Sequence, residues 1–551
     1  MHPLAKLDHR YLWHPFTQMR DWVKREPIVI VEGEGAVLRD AHGQEYLDAN
    51  SSIWTNLHGH NHPRINAAIC RQLGRIAHSS ALGFANEPAS LLAAKLIEAA
   101  SQSFEVAADV SRRILSGPEM APTHVGGYVL STHSTKGKTP QPDRQPALSK
   151  VFLSDNGSTA MEVALKFAYE FVRRTGRSRK PKFLALDGAY HGDTIGAVAL
   201  GHIDLFHKAY AGLLFKTDKV MAPGCYRCPF NRAKPERADA REYRKCNWEC
   251  LGKLEQKFAA QKKKGNPYAA FVVEPLMQGA AGMIPQPAGW LSRAAEIARG
   301  YGALLIADEV MTGFGRTGTV WGETPHPRPS PHPMGRGWPS GRVRGGRASH
   351  VFGAGETPPT REPDAGSLFA CHREGVQPDF MALAKGLTGG YLPMAATLTT
   401  QAVFDAFLGE YHEFKTFFHG HSFTGNQLGA AAALASLELL QSSGSIRARQ
   451  RLEQCLRKEL TALWHCPNIG DIRQVGLVVG VELVRNWRTR KPFDLRERAG
   501  IRVCEAMARQ GVLTRPVGNV VVLMPPYCTT PAQVRRMVTA LGEAAAAIPA
   551  P

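Results

Sequence analysis

The sequence predicts an α/β protein, with a large domain on a mostly parallel sheet and a smaller α+β domain. Short apolar runs of strand length alternate with stretches of helical periodicity. The runs are continuously apolar, as in strands buried on both faces. From about Gln401 the chain changes to helices mixed with shorter strands.

Lys150-Val151-Phe152-Leu153-Ser154-Asp155 reads as the first such strand. After Asn156-Gly157-Ser158, the residues Met161, Ala164, Leu165, Ala168 and Val172 recur at helical spacing. Ala269 to Glu274 is a second β-rich run and Ala303 to Val310 a third, each preceded by a helical pattern. In the tail, Gly476 to Leu483 and Val520 to Met524 are the clearest strands. Two segments, 102–149 and 322–366, break the pattern and read as surface insertions, the second mobile. The second is about two fifths proline and glycine and repeats Gly-Glu-Thr-Pro from Gly322 and Gly355. It cannot bury enough apolar surface to offset its ordering entropy.

A chain of 551 residues exceeds one typical core, and 44% hydrophobic with 21% charged residues fits a folded, soluble protein. No apolar run reaches the length of a membrane span. Met1 to Phe16 lacks the apolar core of a secretory signal, so a cytoplasmic location is expected. The net charge of +19 is dispersed, without the basic stripe and interleaved aromatics of a nucleic-acid surface. Such a balance serves an anionic cofactor or substrate equally well. Cys225, Cys228, Cys246 and Cys250 form two close pairs that suit either a structural metal or reduced thiols; no catalytic metal is indicated.

The chemistry lies at the strand ends. Ala303 to Val310 ends in Asp308 and Glu309, which puts Asp308 at the carboxyl end of a buried strand, where α/β sheets bind ligands. Lys385 stands among small residues, in Ala384-Lys385-Gly386-Leu387-Thr388-Gly389-Gly390, so its amine can approach a flat ligand. An acid and an amine so placed are what pyridoxal phosphate requires, one for the pyridinium nitrogen and one for the Schiff base. Gly157 and Ser158, between strand and helix, would offer backbone N–H groups and a hydroxyl to a phosphate. Tyr190, in Tyr190-His191-Gly192, could stack on a ring. Glu274 is a second strand-end carboxylate, able to support Asp308 or the ring hydroxyl side, and Arg515 could pair with a substrate carboxylate. Gly313-Phe314-Gly315-Arg316-Thr317-Gly318 imitates a dinucleotide fingerprint but opens no helix, so a bend beside the cofactor is expected.

Taken in order, these residues resemble the class III pyridoxal-phosphate aminotransferases of fold type I. The resemblance covers nearly the whole chain outside the two insertions. It includes Trp13-His14-Pro15-Phe16-Thr17-Gln18-Met19, Ser51-Ser52-Ile53-Trp54, His58-Gly59-His60-Asn61-His62-Pro63, Thr312 to Gly318 and Phe418-His419-Gly420-His421-Ser422. The opening Trp-His-Pro segment is similar to the branch that aminates 8-amino-7-oxononanoate on the route to biotin. The resemblance implies residues 1–60 and 401–551 as a small domain around a large cofactor-binding domain, 61–400. It implies that Lys385 holds the cofactor, Asp308 faces its ring nitrogen, Tyr190 covers the ring, and Gly157 and Ser158 hold the phosphate. His421 and Ser422 would assist from the neighbouring subunit of a homodimer. Phe16, Ile53, Trp54, Gly420 and Arg515, with Tyr190 and Lys385, would meet the substrate.

Asp308 and Lys385 are farther apart than in the family, and removing the proline-rich insertion restores the spacing. Phe16 and Ile53 replace a Tyr and a Trp that help hold S-adenosylmethionine in many members. That molecule is the expected donor and lysine the alternative. Another ω-aminotransferase and a catalytically silent cofactor-binding protein are the rival readings.

Overall fold

The computed structural model describes residues 1–115, 147–318 and 368–548, with side chains from 102 to 115 left aside. Its centre is a seven-stranded sheet: β1 (Leu148–Ser154), β2 (Phe183–Leu186), β3 (Asp218–Val220), β4 (Ala270–Val273), β5 (Leu304–Asp308), β6 (Phe380–Leu383) and β7 (Ala395–Thr400). Their spatial order is β1-β7-β6-β5-β4-β2-β3. All neighbours pair in parallel except at β7, which is antiparallel to both β6 and β1. The mostly parallel α/β sheet is as the apolar runs imply.

Every residue of β5 is buried. Leu304 and Ile306 pack with the helix Gly157–Arg174 on one face. Leu305 and Ala307 face the helices Glu249–Lys263 and Trp290–Gly300 on the other. Two covered faces explain why this strand reads as an unbroken apolar run. Helix Gly157–Arg174 is capped by Asn156, whose side chain accepts from the Thr159 N–H at 3.1 Å. Its buried stripe runs from Ala160 to Val172, and Arg173 and Arg174 in the last turn complement the helix dipole.

The two chain ends meet in a second sheet. Strands Ile30–Glu34, Val37–Asp40 and Glu45–Asp48 are joined by Val512–Leu513, which pairs in parallel with Glu45–Asp48. A third, antiparallel sheet orders Ile469–Val475, Val478–Asn486, Val520–Leu523 and Pro516–Val517. The first expected insertion begins later than the sequence suggests, because helix Glu87–Leu115 runs past residue 102 and β1 already starts at Leu148. Apolar periodicity fades in that helix before its backbone does. Most of both expected insertions lies outside the described residues.

Gly313 to Gly318 forms a succession of turns and opens no helix, as expected of a bend. It does not line the main cavity. Arg316, 1% exposed, donates instead to the carbonyls of Pro525 (2.9 Å) and Asn56 (3.0 Å). Its guanidinium also lies 5.1 Å from the ring centre of Tyr527, whose hydroxyl donates to the Phe314 carbonyl at 2.8 Å. The bend is therefore a staple between N-terminal and C-terminal segments. Arg316→Ala leaves two buried carbonyls unpaired and a cavity behind. It is expected to lower unfolding stability by about 3 kcal/mol in urea titration.

Candidate active site

Strands of one parallel sheet end on the same side, and the predicted residues follow those ends. Asp308 closes β5; Glu274 follows β4, Lys385 follows β6, Asp155 follows β1, and Tyr190 and His191 follow β2. All of them line one cavity of about 750 Å³. Gly157, Ser158, Phe16, Ile53, Trp54 and Arg515 line it too. Residues from the first sixteen positions to the last forty thus converge on the carboxyl edge of the sheet, where ligands bind in this class of fold.

Asp308, 5% exposed, is the centre of a buried polar group. One oxygen accepts from the Val310 N–H at 3.0 Å, and the other lies 2.8 Å from His191 Nδ1. The far nitrogen of that imidazole, Nε2, is buried with no partner among the described residues. Sequence reading placed His191 in a motif but gave it no role, because a histidine's partner is a matter of tertiary placement. Glu274 is buried and accepts from the Tyr190 N–H (3.1 Å) and the Gly279 N–H (2.8 Å), with no cation bonded to it among the described residues. Burial first, and then the charge of Asp308, push its carboxyl up to about 7, against the opposing influence of His191.

Lys385 takes a left-handed backbone conformation, φ 46°, directly after β6. Its Nζ lies 4.8 Å from the centre of the Trp54 ring. Burial lowers its pKa, and Asp308 and Glu274 pull the other way. The amine is thus neutral at lower pH than an exposed lysine, which makes it a better nucleophile near neutrality.

Gly157 opens its helix at the cavity, and a Cβ there would stand 2.7 Å from Val310 Cγ1. Gly192, at φ 122°, allows Ser158 to approach so closely that a Cβ would overlap its hydroxyl. Ser158 Oγ accepts from the Asp193 N–H at 3.1 Å. Tyr190 lines the cavity and donates its hydroxyl to Asp193 at 2.8 Å. Burial raises the pKa of that hydroxyl. Arg515 is exposed at the rim, where Nη2 reaches the Phe16 carbonyl at 3.5 Å.

His421, Gly420 and Ser422 do not line this cavity. The His421 Nδ1 lies 2.6 Å from Asp155 of the same chain, whereas Gly420 and Ser422 are exposed. The four clustered cysteines are free thiols, and no group of three or more metal-ligating side chains occurs among the described residues. Burial pushes Cys225 up to about 12 and Cys250 up to about 11, so both are protonated at neutral pH.

The family model for class III aminotransferases matches residues 19–328 and 363–545. The break falls inside the proline-rich stretch. A protein of Geobacter sulfurreducens named adenosylmethionine-8-amino-7-oxononanoate aminotransferase is 41% identical, over 98% of this chain and 96% of its own. The crystal structure of the like-named protein of Methanocaldococcus jannaschii is 33% identical, covers 98% of both chains and superposes with a TM-score of 0.74. A PLP-bound amine transaminase from an uncultivated Pseudomonas species is 27% identical over 97% of this chain and 98% of its own, also with a TM-score of 0.74.

Glu274 sets a pH dependence whose sign follows from its raised pKa. Between its ordinary value of 4.5 and about 7, the folded protein binds the proton that the unfolded chain has lost. Stability therefore falls as pH rises through that window, by at most about 3 kcal/mol. Urea titration from pH 4.5 to 7.5 should show this fall in the wild type and a flatter profile in Glu274→Gln.

Proposed function

The chain belongs to the class III aminotransferase family, and we propose that it aminates the ketone of 8-amino-7-oxononanoate to give 7,8-diaminononanoate for biotin. What carries the reading is one cavity that holds Lys385, Asp308 and a glycine-opened helix N-terminus, in a chain similar over nearly its full length to proteins of that name. The residues fit pyridoxal phosphate. The missing Cβ of Gly157 lets the helix N-terminus pack against Val310 at the cavity wall, and Asp308 is a buried acid with its geometry fixed.

When bound, the cofactor supplies an electrophilic carbon for the amine and a ring that takes up the electron pair left on the donor carbon. Asp308, oriented by His191, presents negative charge to the ring nitrogen. Gly157 and Ser158 hold the phosphate with backbone N–H groups and a hydroxyl. Tyr190 covers the ring. Lys385 Nζ takes the proton from the amine-bearing carbon of the donor and returns one when the ketone is aminated. Its lowered pKa suits both directions. Arg515 takes the carboxylate of the acceptor at the rim, and Phe16, Ile53 and Trp54 exclude water from its aliphatic chain.

The division into residues 61–400 as the large domain and 1–60 with 401–551 as the small one is supported by the strand Val512–Leu513 pairing with Glu45–Asp48. A homodimer belongs to the reading. Leu82 (88% exposed), Phe84 (72%) and Phe418 (76%) leave apolar surface that a second copy would cover. Phe418 precedes Gly420 and Ser422 by two and four residues, and all three are exposed. No described helix is long and apolar enough to cross a membrane. A cytoplasmic reaction belongs to the proposed reading.

S-adenosylmethionine is the proposed donor, supported by the names of the relatives. Purified protein with pyridoxal phosphate, 8-amino-7-oxononanoate and either S-adenosylmethionine or lysine is assayed for 7,8-diaminononanoate by mass spectrometry. Product with S-adenosylmethionine is expected, and Lys385→Ala should lower kcat at least about 10³-fold. Product with lysine alone would overturn the donor. Turnover of other ω-amines without this product would overturn the substrate.

A further inference from the structure

Residues Ser51 to Trp54 form a left-handed helical turn, with φ of 51°, 47°, 63° and 69° in succession. In that conformation each Cβ crowds the following carbonyl oxygen, so L-residues visit it singly and seldom in runs. None of the four is glycine, and a β-branched residue such as Ile53 is an outlier there even alone. Strain of this kind persists only where the surroundings over-determine it.

Here they do. Asp48, 2% exposed, accepts from the Ser52 N–H at 2.9 Å and from the Ser52 hydroxyl at 2.8 Å. Its Oδ2 also lies 3.0 Å from His60 Nε2, and the other nitrogen of that ring lies 2.9 Å from Asn56 Nδ2. Ser51 donates its hydroxyl to the Met524 carbonyl at 2.7 Å. Below the turn, Gly390 leaves no room for a Cβ, which would come within 2.8 Å of the Asn56 backbone nitrogen. The turn places Ile53 and Trp54 on the cavity wall, with the Trp54 ring against the Lys385 amine.

We propose that this turn is a strained positioning device, and that Asp48, through Ser52 and His60, is the positioning residue that fixes Ile53 and Trp54 on the substrate-facing wall. The inference rests on the aminotransferase reading only in taking the cavity as the substrate's. Strain in the turn is measurable without any substrate.

The test compares melting of the cofactor-loaded protein carrying Ile53→Gly with that carrying Ile53→Ala. Ile53 is 44% exposed; both variants lose the same atoms beyond the Cβ, so they differ from each other only in the Cβ. Glycine is expected to melt about 1–3 °C above alanine, the reverse of the usual order in a helix or strand. Asp48→Ala is expected to raise KM for 8-amino-7-oxononanoate about tenfold with kcat within about threefold, and Asp48→Asn to recover most of the loss. If the wild type turns over another amine instead, the same split is read on that amine. Should Asp48→Ala fail to fold, Ser52→Ala removes one of its bonds and is read in the same way. Glycine melting at or below alanine, or a fall in kcat at unchanged KM, overturns the proposal.

Discussion

A buried carboxylate must be partnered, and the placement of Asp308 makes this requirement the organising constraint of the molecule. Asp308 ends a strand covered on both faces, in surroundings where an isolated charge would be very costly. The Val310 N–H and His191 meet that need from within the protein. The parallel sheet then does the rest. Because β2, β4, β5 and β6 run the same way, their carboxyl ends bring Tyr190, His191, Glu274 and Lys385 to the same edge. The amine and the acid share a cavity because of strand direction, although a long stretch of chain separates them.

Desolvation gives these groups their chemistry. The same burial that raises Glu274 lowers Lys385, and the shifts run in opposite directions because one group is an acid and the other a base. Burial at the sheet edge thus favours the neutral form of both groups.

Much of this was legible in the sequence. The strand ending at Asp308 and the helix from Gly157 were visible because both are strongly periodic and end at charged or capping residues. Lys385 stood out through its small neighbours, and Gly157 through its place between a strand and a helix. Other features had no local signal. Strand Ile469–Val475 carries Asp471, Arg473 and Gln474, yet all are buried, because Arg473 pairs with Asp471 at 3.1 Å and with Glu482. A polar sequence reads as loop unless its partners are known. The left-handed turn at Ser51 was equally hidden, since its causes, Asp48, His60 and Gly390, act through space. The pairing of His421 with Asp155 had no local signal either, since 266 positions separate the two residues.

One amine, that of Lys385, must differ in reactivity from every other lysine in the chain. Borohydride reduction of the protein mixed with pyridoxal phosphate, followed by digestion and peptide mass spectrometry, reads this directly. A pyridoxyl group at Lys385 alone, at one equivalent per chain, is the result the account predicts. Label spread over surface lysines with Lys385 unmodified would contradict it.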